Sequence, residues 1–126
     1  MLYDASALLA LILDEDGADV ATQHLADGRI TTVNLAEVMS TLAMRGATAD
    51  DFQHLRRELP LGVVDFTADM AQAAALLRPK TRALGLSLGD RACLGAATVL
   101  GAPVLSGDRA WAKLDRGLGL NVRMIR

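Results

Sequence analysis

The stretch Met1-Leu2-Tyr3-Asp4-Ala5-Ser6-Ala7-Leu8-Leu9 reads as a short strand, an acid and then an apolar helix, and that order decides the fold. Strand one covers Met1 to Tyr3, and the helix runs from Ala5 to about Leu13, where the solvated turn Asp14-Glu15-Asp16-Gly17 stops it. The same succession recurs along the chain. Ala18 to Ala26 continues as a helix ended by Asp27-Gly28. Arg29 to Val33 is a β-branched run that makes strand two, and Asn34 opens a helix reaching Arg45-Gly46. Thr48 to about Glu58 forms another helix, and Leu61 to Phe66 is strand three. Thr67 caps an alanine-rich helix that Pro79 should kink or break, and Gly85 ends that segment. Gly89 to Leu100 is a helix closed by Gly101, Pro103 to Leu105 is strand four, Arg109 to Leu114 is a short helix, and Leu120 to Ile125 is a last strand. About five strands alternate with six or seven helices, which is the signature of an α/β fold.

No repeat or linker divides the 126 residues, so one domain spanning 1–126 is expected. Strands separated by helices pair in parallel through right-handed crossovers, which places every strand-to-helix loop on one edge of the sheet. Ligands of such folds sit on that edge.

Apolar residues make up 52% of the chain and charged ones 22%, which is high for a soluble protein of this size and leaves room for a partner-covered patch. The longest uncharged stretch, Ala92 to Gly107, is interrupted by Gly95, Gly101 and Pro103 and is too short to cross a bilayer. The start lacks the basic region of a secretory signal, so export is not expected. A single cysteine, Cys93, excludes an intramolecular disulfide and a cysteine-based zinc site, fits the cytoplasm and reads as core packing. The net charge of −2 argues against a broadly basic nucleic-acid surface. Any nucleic acid would be held locally.

Four acids fall at the functional edge. Asp4 ends strand one, Glu37 lies in the first turn after strand two, Asp90 opens the helix before strand four, and Asp108 follows strand four. Carboxylates gathered without an interleaved lysine or arginine raise one another's pKa unless a cation neutralises them, which points to a metal. Oxygen-only ligation favours Mg²⁺, with Mn²⁺ as the alternative, over zinc. Helix capping competes with this reading at every position. Ser87-x-x-Asp90 and Asn34-x-x-Glu37 match the capping box, and Asp4 and Asp108 suit N-caps. The two roles are compatible, but only the metal reading requires the four to converge. Asp14, Glu15 and Asp16, the helix-opening Asp50 and Asp51, and Asp115 read as structural. His24 and His54 read as surface or boundary residues.

Four segments in series carry a resemblance: Leu2-Tyr3-Asp4-Ala5-Ser6-Ala7-Leu8-Leu9, Asn34-Leu35-Ala36-Glu37-Val38, Leu86-Ser87-Leu88-Gly89-Asp90-Arg91-Ala92-Cys93-Leu94 and Val104-Leu105-Ser106-Gly107-Asp108-Arg109-Ala110-Trp111. In order and spacing, over nearly the whole chain, they resemble the PIN-domain ribonucleases and, within them, the VapC-type toxins of bacterial and archaeal toxin–antitoxin pairs. Ser106 stands where the family often has threonine and keeps the hydroxyl. Trp111 stands near a position often taken by phenylalanine and reads as packing.

The resemblance implies a single PIN-like α/β/α sandwich and a magnesium-dependent endoribonuclease leaving 5′-phosphate and 3′-hydroxyl ends. Bound Mg²⁺ would activate water and stabilise phosphoryl charge. Asp4, Asp90 and Asp108 would bind the metal, and Glu37 would bind a second metal or orient the attacking water. Ser6 and Ser106 would hold the acids by hydrogen bonds. Arg91 and Arg109, each directly after a site acid, are candidates for phosphate contact, and Arg78, Lys80 and Arg82 for tracking the RNA backbone; ordinary surface charge is the competing reading for all five. With aromatics at 3%, recognition would rest on RNA shape and phosphate position. The resemblance also implies a cognate VapB-type antitoxin covering the cleft, commonly with an arginine reaching the acids, and a toxin homodimer. The first helix, through Leu8, Leu9, Ile12 and Leu13, would supply either contact or else core.

A receiver domain would want a second acid beside Asp4 and a lysine late in the chain, and an aspartyl phosphatase an acid where Ser6 stands. A catalytically silent PIN-like binding module should have lost an acid, and all four are present. A PIN-fold RNA-processing nuclease without antitoxin is the remaining alternative; the small size favours the toxin.

Overall fold

Strands of only two or three residues carry the sheet in the computed structural model, which describes residues 1–126: β1 Leu2–Tyr3, β2 Arg29–Thr31, β3 Gly62–Val64, β4 Val104–Ser106 and β5 Val122–Met124. Six α-helices accompany them: α1 Ala5–Leu13, α2 Ala18–Gln23, α3 Thr32–Met44, α4 Ala49–Glu58, α5 Ala68–Lys80 and α6 Leu88–Leu100. The strand order is β3-β2-β1-β4-β5, and every pairing is parallel. Leu2 is in register with Arg29 on one side and Val104 on the other, so β1 is central and its end is flanked on both sides.

Alternation along these short strands sends neighbouring side chains to opposite faces. Leu2 and Val104 enter one apolar core with Met70, Leu77, Leu94 and Trp111. Tyr3 and Leu105 enter the other with Leu8, Ile30, Leu35 and Val38. A parallel sheet covered on both faces in this way is an α/β/α sandwich. Cys93 and Trp111 are core residues, at 0% and 1% exposure, as their sequence reading holds. In α1, Ala7, Leu8 and Ala10 are buried while Ile12 is exposed, so the helix is chiefly core.

Several boundaries differ from the sequence reading. β2 stops at Thr31, because the Thr31 side chain caps α3 by accepting from the Asn34 amide. Asn34 is therefore inside the helix, its segment with Glu37 is not a capping box, and Glu37 lies in the second turn. β3 and β5 are shorter than read, the helix after Gly17 gives way to a 3₁₀ turn at Leu25–Asp27, and the segment Arg109–Lys113 is 3₁₀ throughout. Pro79 does not break α5, since Thr81 still donates to the Leu77 carbonyl at 2.9 Å. Proline costs the helix one donor, and with Ala75 and Pro79 both exposed water can satisfy the freed carbonyl.

The backbones of α5 and α6 approach closely at Gly95. A Cβ placed on Gly95 would lie 2.6 Å from the Ala74 nitrogen and 2.8 Å from the Met70 carbonyl oxygen, both backbone atoms. In an unobstructed helix Gly→Ala stabilises by about 1 kcal/mol. Here the sign reverses: Gly95→Ala is expected to destabilise by roughly 1–3 kcal/mol, the usual cost of over-packing, as read from urea unfolding. A stabilised variant would refute this contact.

Candidate active site

Asp4 follows β1 directly and is 3% exposed. Its extended backbone and helix-capping geometry place Oδ1 to accept from the Ala7 amide at 2.9 Å. Ser6 Oγ donates to the same oxygen at 2.7 Å, and Ser106 Oγ, from the end of β4, donates to Oδ2 at 2.8 Å. Both hydroxyls are used twice: Ser6 Oγ accepts from the Gly107 amide at 2.8 Å, and Ser106 Oγ from the Asp108 amide at 3.0 Å. The two serines thus tie the ends of β1 and β4 together.

Asp108 spends Oδ1 on the Ala110 amide, capping the 3₁₀ segment. Asp90 spends Oδ2 on the Ser87 amide at 2.8 Å in a true capping box opening α6. Glu37 reaches α6 from α3. Its Oε2 accepts from Asn34 Nδ2 at 2.9 Å, while the same Asn34 amide group donates to the Gly89 carbonyl at 3.0 Å. A Cβ on Gly89 would stand 2.2 Å from Glu37 Oε1, so the glycine leaves the slot that the carboxylate occupies. Asn34 is buried at 1% and also accepts from Thr31 Oγ1 at 2.7 Å. These two residues were missed as site builders, and only the long-range packing of α3 on α6 reveals them.

The Asp90 charge acts on two of the other acids, Asp4 and Glu37. Burial pushes the Asp4 carboxyl from 3.8 up to about 6; bonds from Ser6, Ala7 and Ser106 oppose this, and the Asp90 charge adds to it. Burial likewise raises Glu37, against the Asn34 bond and with Asp90. The Cys93 thiol is raised by burial and then by Asp4, Asp90 and Glu37. Asp108 is joined to this group through Ser106.

The two ion pairs of the structure, Met1–Asp27 and Arg126–Glu15, involve none of these acids. Arg91 is half-buried with Nε closed off and unpartnered; Arg109, Arg78, Lys80 and Arg82 are exposed, and none bonds a site acid. His24 is half-buried and His54 exposed, as expected of boundary and surface positions. As placed, no three Asp, Glu, His or Cys side chains close on a common point. The donors are nonetheless hard oxygens bearing uncompensated negative charge, a set that suits Mg²⁺ or Mn²⁺ and not a soft ion.

The PIN domain family matches residues 1–117. No curated protein matches the chain. Among solved structures, a toxin–antitoxin complex from Klebsiella pneumoniae is similar at a TM-score of 0.77 and 19% identity, covering 99% of this chain and 97% of that one. VapBC2 from Rickettsia felis, bound to a DNA fragment from its promoter, gives 0.72 and 18%, covering 98% of each. VapC20 from Mycobacterium tuberculosis, a toxin that cleaves the sarcin-ricin loop, gives 0.68 and 18%, covering 90% and 95%. At these identities the likeness is one of fold.

Asp4 makes a pH prediction with a definite sign. Its folded pKa of about 6 exceeds the ordinary 3.8, so between those values the native chain binds more protons than the unfolded one. Stability then falls as pH rises through that window, by roughly 3 kcal/mol from this group alone. In EDTA, urea unfolding of the wild type should show this loss between pH 4 and 7, and Asp4→Asn, which keeps an acceptor for Ala7 and carries no charge, should lack it. The same slope in both proteins would remove Asp4 as its source.

Proposed function

The chain belongs to the PIN-domain family, a family of nucleases, and from that premise we propose that it is a magnesium-dependent endoribonuclease serving as the toxin of a VapBC-type toxin–antitoxin pair. The observation that carries the reading is the buried Asp4 carboxylate, fixed by Ser6 and Ser106 and set against Glu37 and Asp90 with no basic side chain to neutralise them.

Asp4, Asp90 and Asp108 would hold Mg²⁺, with Mn²⁺ able to replace it. Bound there, the ion supplies an activated water and charge stabilisation at the scissile phosphate. Glu37 keeps Oε2 on Asn34, and its Oε1 would take a proton from the attacking water or contribute to a second ion. Ser6 and Ser106 orient Asp4 through one bond to each of its oxygens. Arg91 and Arg109 would meet phosphate oxygens beside the acids, and Arg78, Lys80 and Arg82 would follow the backbone further out. On a chain of net charge −2, RNA would be held by these local cations and not by a broadly basic surface.

Similarity to proteins solved as toxin–antitoxin complexes supports a VapB-type antitoxin partner; the proposal adds that this partner covers the acids and that the toxin forms a homodimer. No helix is long and apolar enough to cross a membrane, and the proposed setting is the cytoplasm.

The test is cleavage of structured and single-stranded RNA by the purified protein with Mg²⁺, Mn²⁺ or EDTA, beside Asp4→Asn and Asp90→Asn. Cutting should require the metal and fall by about 100-fold or more in both variants. Absence of cutting, with no metal binding by calorimetry, would instead make this a PIN-fold binding module.

A further inference from the structure

The segment that follows β5 is fastened to the loop that carries Asp108. Ile125 donates its amide to the Ser106 carbonyl at 2.9 Å. Arg126 Nε donates to the Gly107 carbonyl at 3.2 Å, and its Nη1 donates to the Asp16 carbonyl at 2.9 Å and pairs with Glu15 at 3.6 Å. The guanidinium lies against Gly107 itself, where a Cβ would stand 3.1 Å from Cζ and Nη2. Gly17 adopts a φ of +92° and makes room for Ile125, whose carbonyl oxygen would be 2.6 Å from a Cβ there.

The side chains of Arg126 and Glu15 are 26% and 43% exposed, so water screens their ion pair and its contribution to stability is small. The guanidinium matters through its shape. A rigid planar fork can donate to carbonyls of two different loops at once, which an ammonium on a flexible stem does less well. Opposite Arg126, the Gly107 amide donates to Ser6 Oγ, which in turn donates to Asp4 Oδ1. Gly107 is therefore held at both of its polar groups, the amide by Ser6 and the carbonyl by Arg126. The peptide that joins it to Asp108 is gripped on both edges, its carbonyl by Arg126 and its amide by Ser106 Oγ, and its plane sets the direction of Asp108.

We infer that Arg126 is a positioning residue of the acidic site, acting through the Gly107 carbonyl on the Gly107–Asp108 peptide, and through the Gly107 backbone on the Ser6–Asp4 bond, without touching a reacting atom. This rests on the nuclease reading for its catalytic consequence, but its structural part stands apart from it. Arg126 also lines, with Arg109 and the Asp14–Asp16 turn, a polar concavity of about 570 Å³. A direct phosphate contact is thus the rival role.

The experiment compares Arg126→Ala, Arg126→Lys and the exposed neighbour Arg123→Ala with wild type, in single-turnover RNA cleavage over a metal titration, RNA binding in EDTA, and amide hydrogen exchange of Gly107. For Arg126→Ala the expected result is a cleavage rate about tenfold lower and a higher metal half-saturation, with unchanged RNA affinity and faster Gly107 exchange. Arg126→Lys should recover part of each, and Arg123→Ala should match wild type. Weakened RNA binding at an unchanged saturating rate would make Arg126 a phosphate contact, and unchanged Gly107 exchange would remove the clamp; either overturns the inference. If the wild type cuts no RNA, the nuclease reading fails while Gly107 exchange and Mn²⁺ binding by calorimetry still judge the clamp.

Discussion

A carboxylate buried at the end of the central strand is the constraint around which the rest of this fold is arranged. Asp4 follows the middle strand of the five, and at 3% exposure it has lost nearly all of its hydration. An unpaired buried charge is among the costliest features a small domain can carry. The chain answers with three neutral donors and no cation. Those donors lower the cost without cancelling the charge, which is why the carboxyl still titrates near 6. A lysine or arginine in contact would have been more stabilising and would have closed the place to any other positive group.

The surrounding geometry follows from the same need. α1 and α6 both begin beside the acids, so their free amides and partial positive charge face the negative cluster. For α6 to approach α3 closely enough, position 89 must lack a side chain, because the Glu37 carboxylate fills the volume a Cβ would take. Asn34 then spans the junction with one amide group, bonding a side chain on its own helix and a backbone carbonyl of the other. A tight helix pair and the placement of Glu37 are one packing solution.

How much of this could be read beforehand depended on the range of the interaction. Local signals were legible: Asp4 and Asp108 at strand ends, the Ser87–Asp90 cap, the helices and the parallel pairing of the strands all follow from patterns a few residues wide. Asn34 was misread because asparagine three residues before an acid suits a cap, and only the Thr31 hydroxyl bonded to the Asn34 amide shows that the helix has already begun. Pro79 was overrated because its local penalty is real but falls in the last turn of an exposed helix end. No local signal sets Gly89 apart from other helix-start glycines or Gly107 from other loop glycines. The volumes they leave empty are claimed by Glu37 and Arg126, 52 and 19 positions away, and no local pattern announces such a pairing.

Capping and metal binding, which compete when only spacing is known, cease to compete once each oxygen is followed separately. A carboxylate has about four lone-pair sites and a cap uses one. Asp90 commits Oδ2 and Asp108 commits Oδ1 to their own helix starts, and in both the second oxygen receives no bond from the protein. The cap thereby does for each acid part of what a dedicated orienting residue would otherwise have to do: it ties one oxygen to the helix start and leaves the other without a protein donor. Under the nuclease reading, an ion would then be taken by side chains already anchored at one end, with the backbone held by the serines and by Arg126 at Gly107.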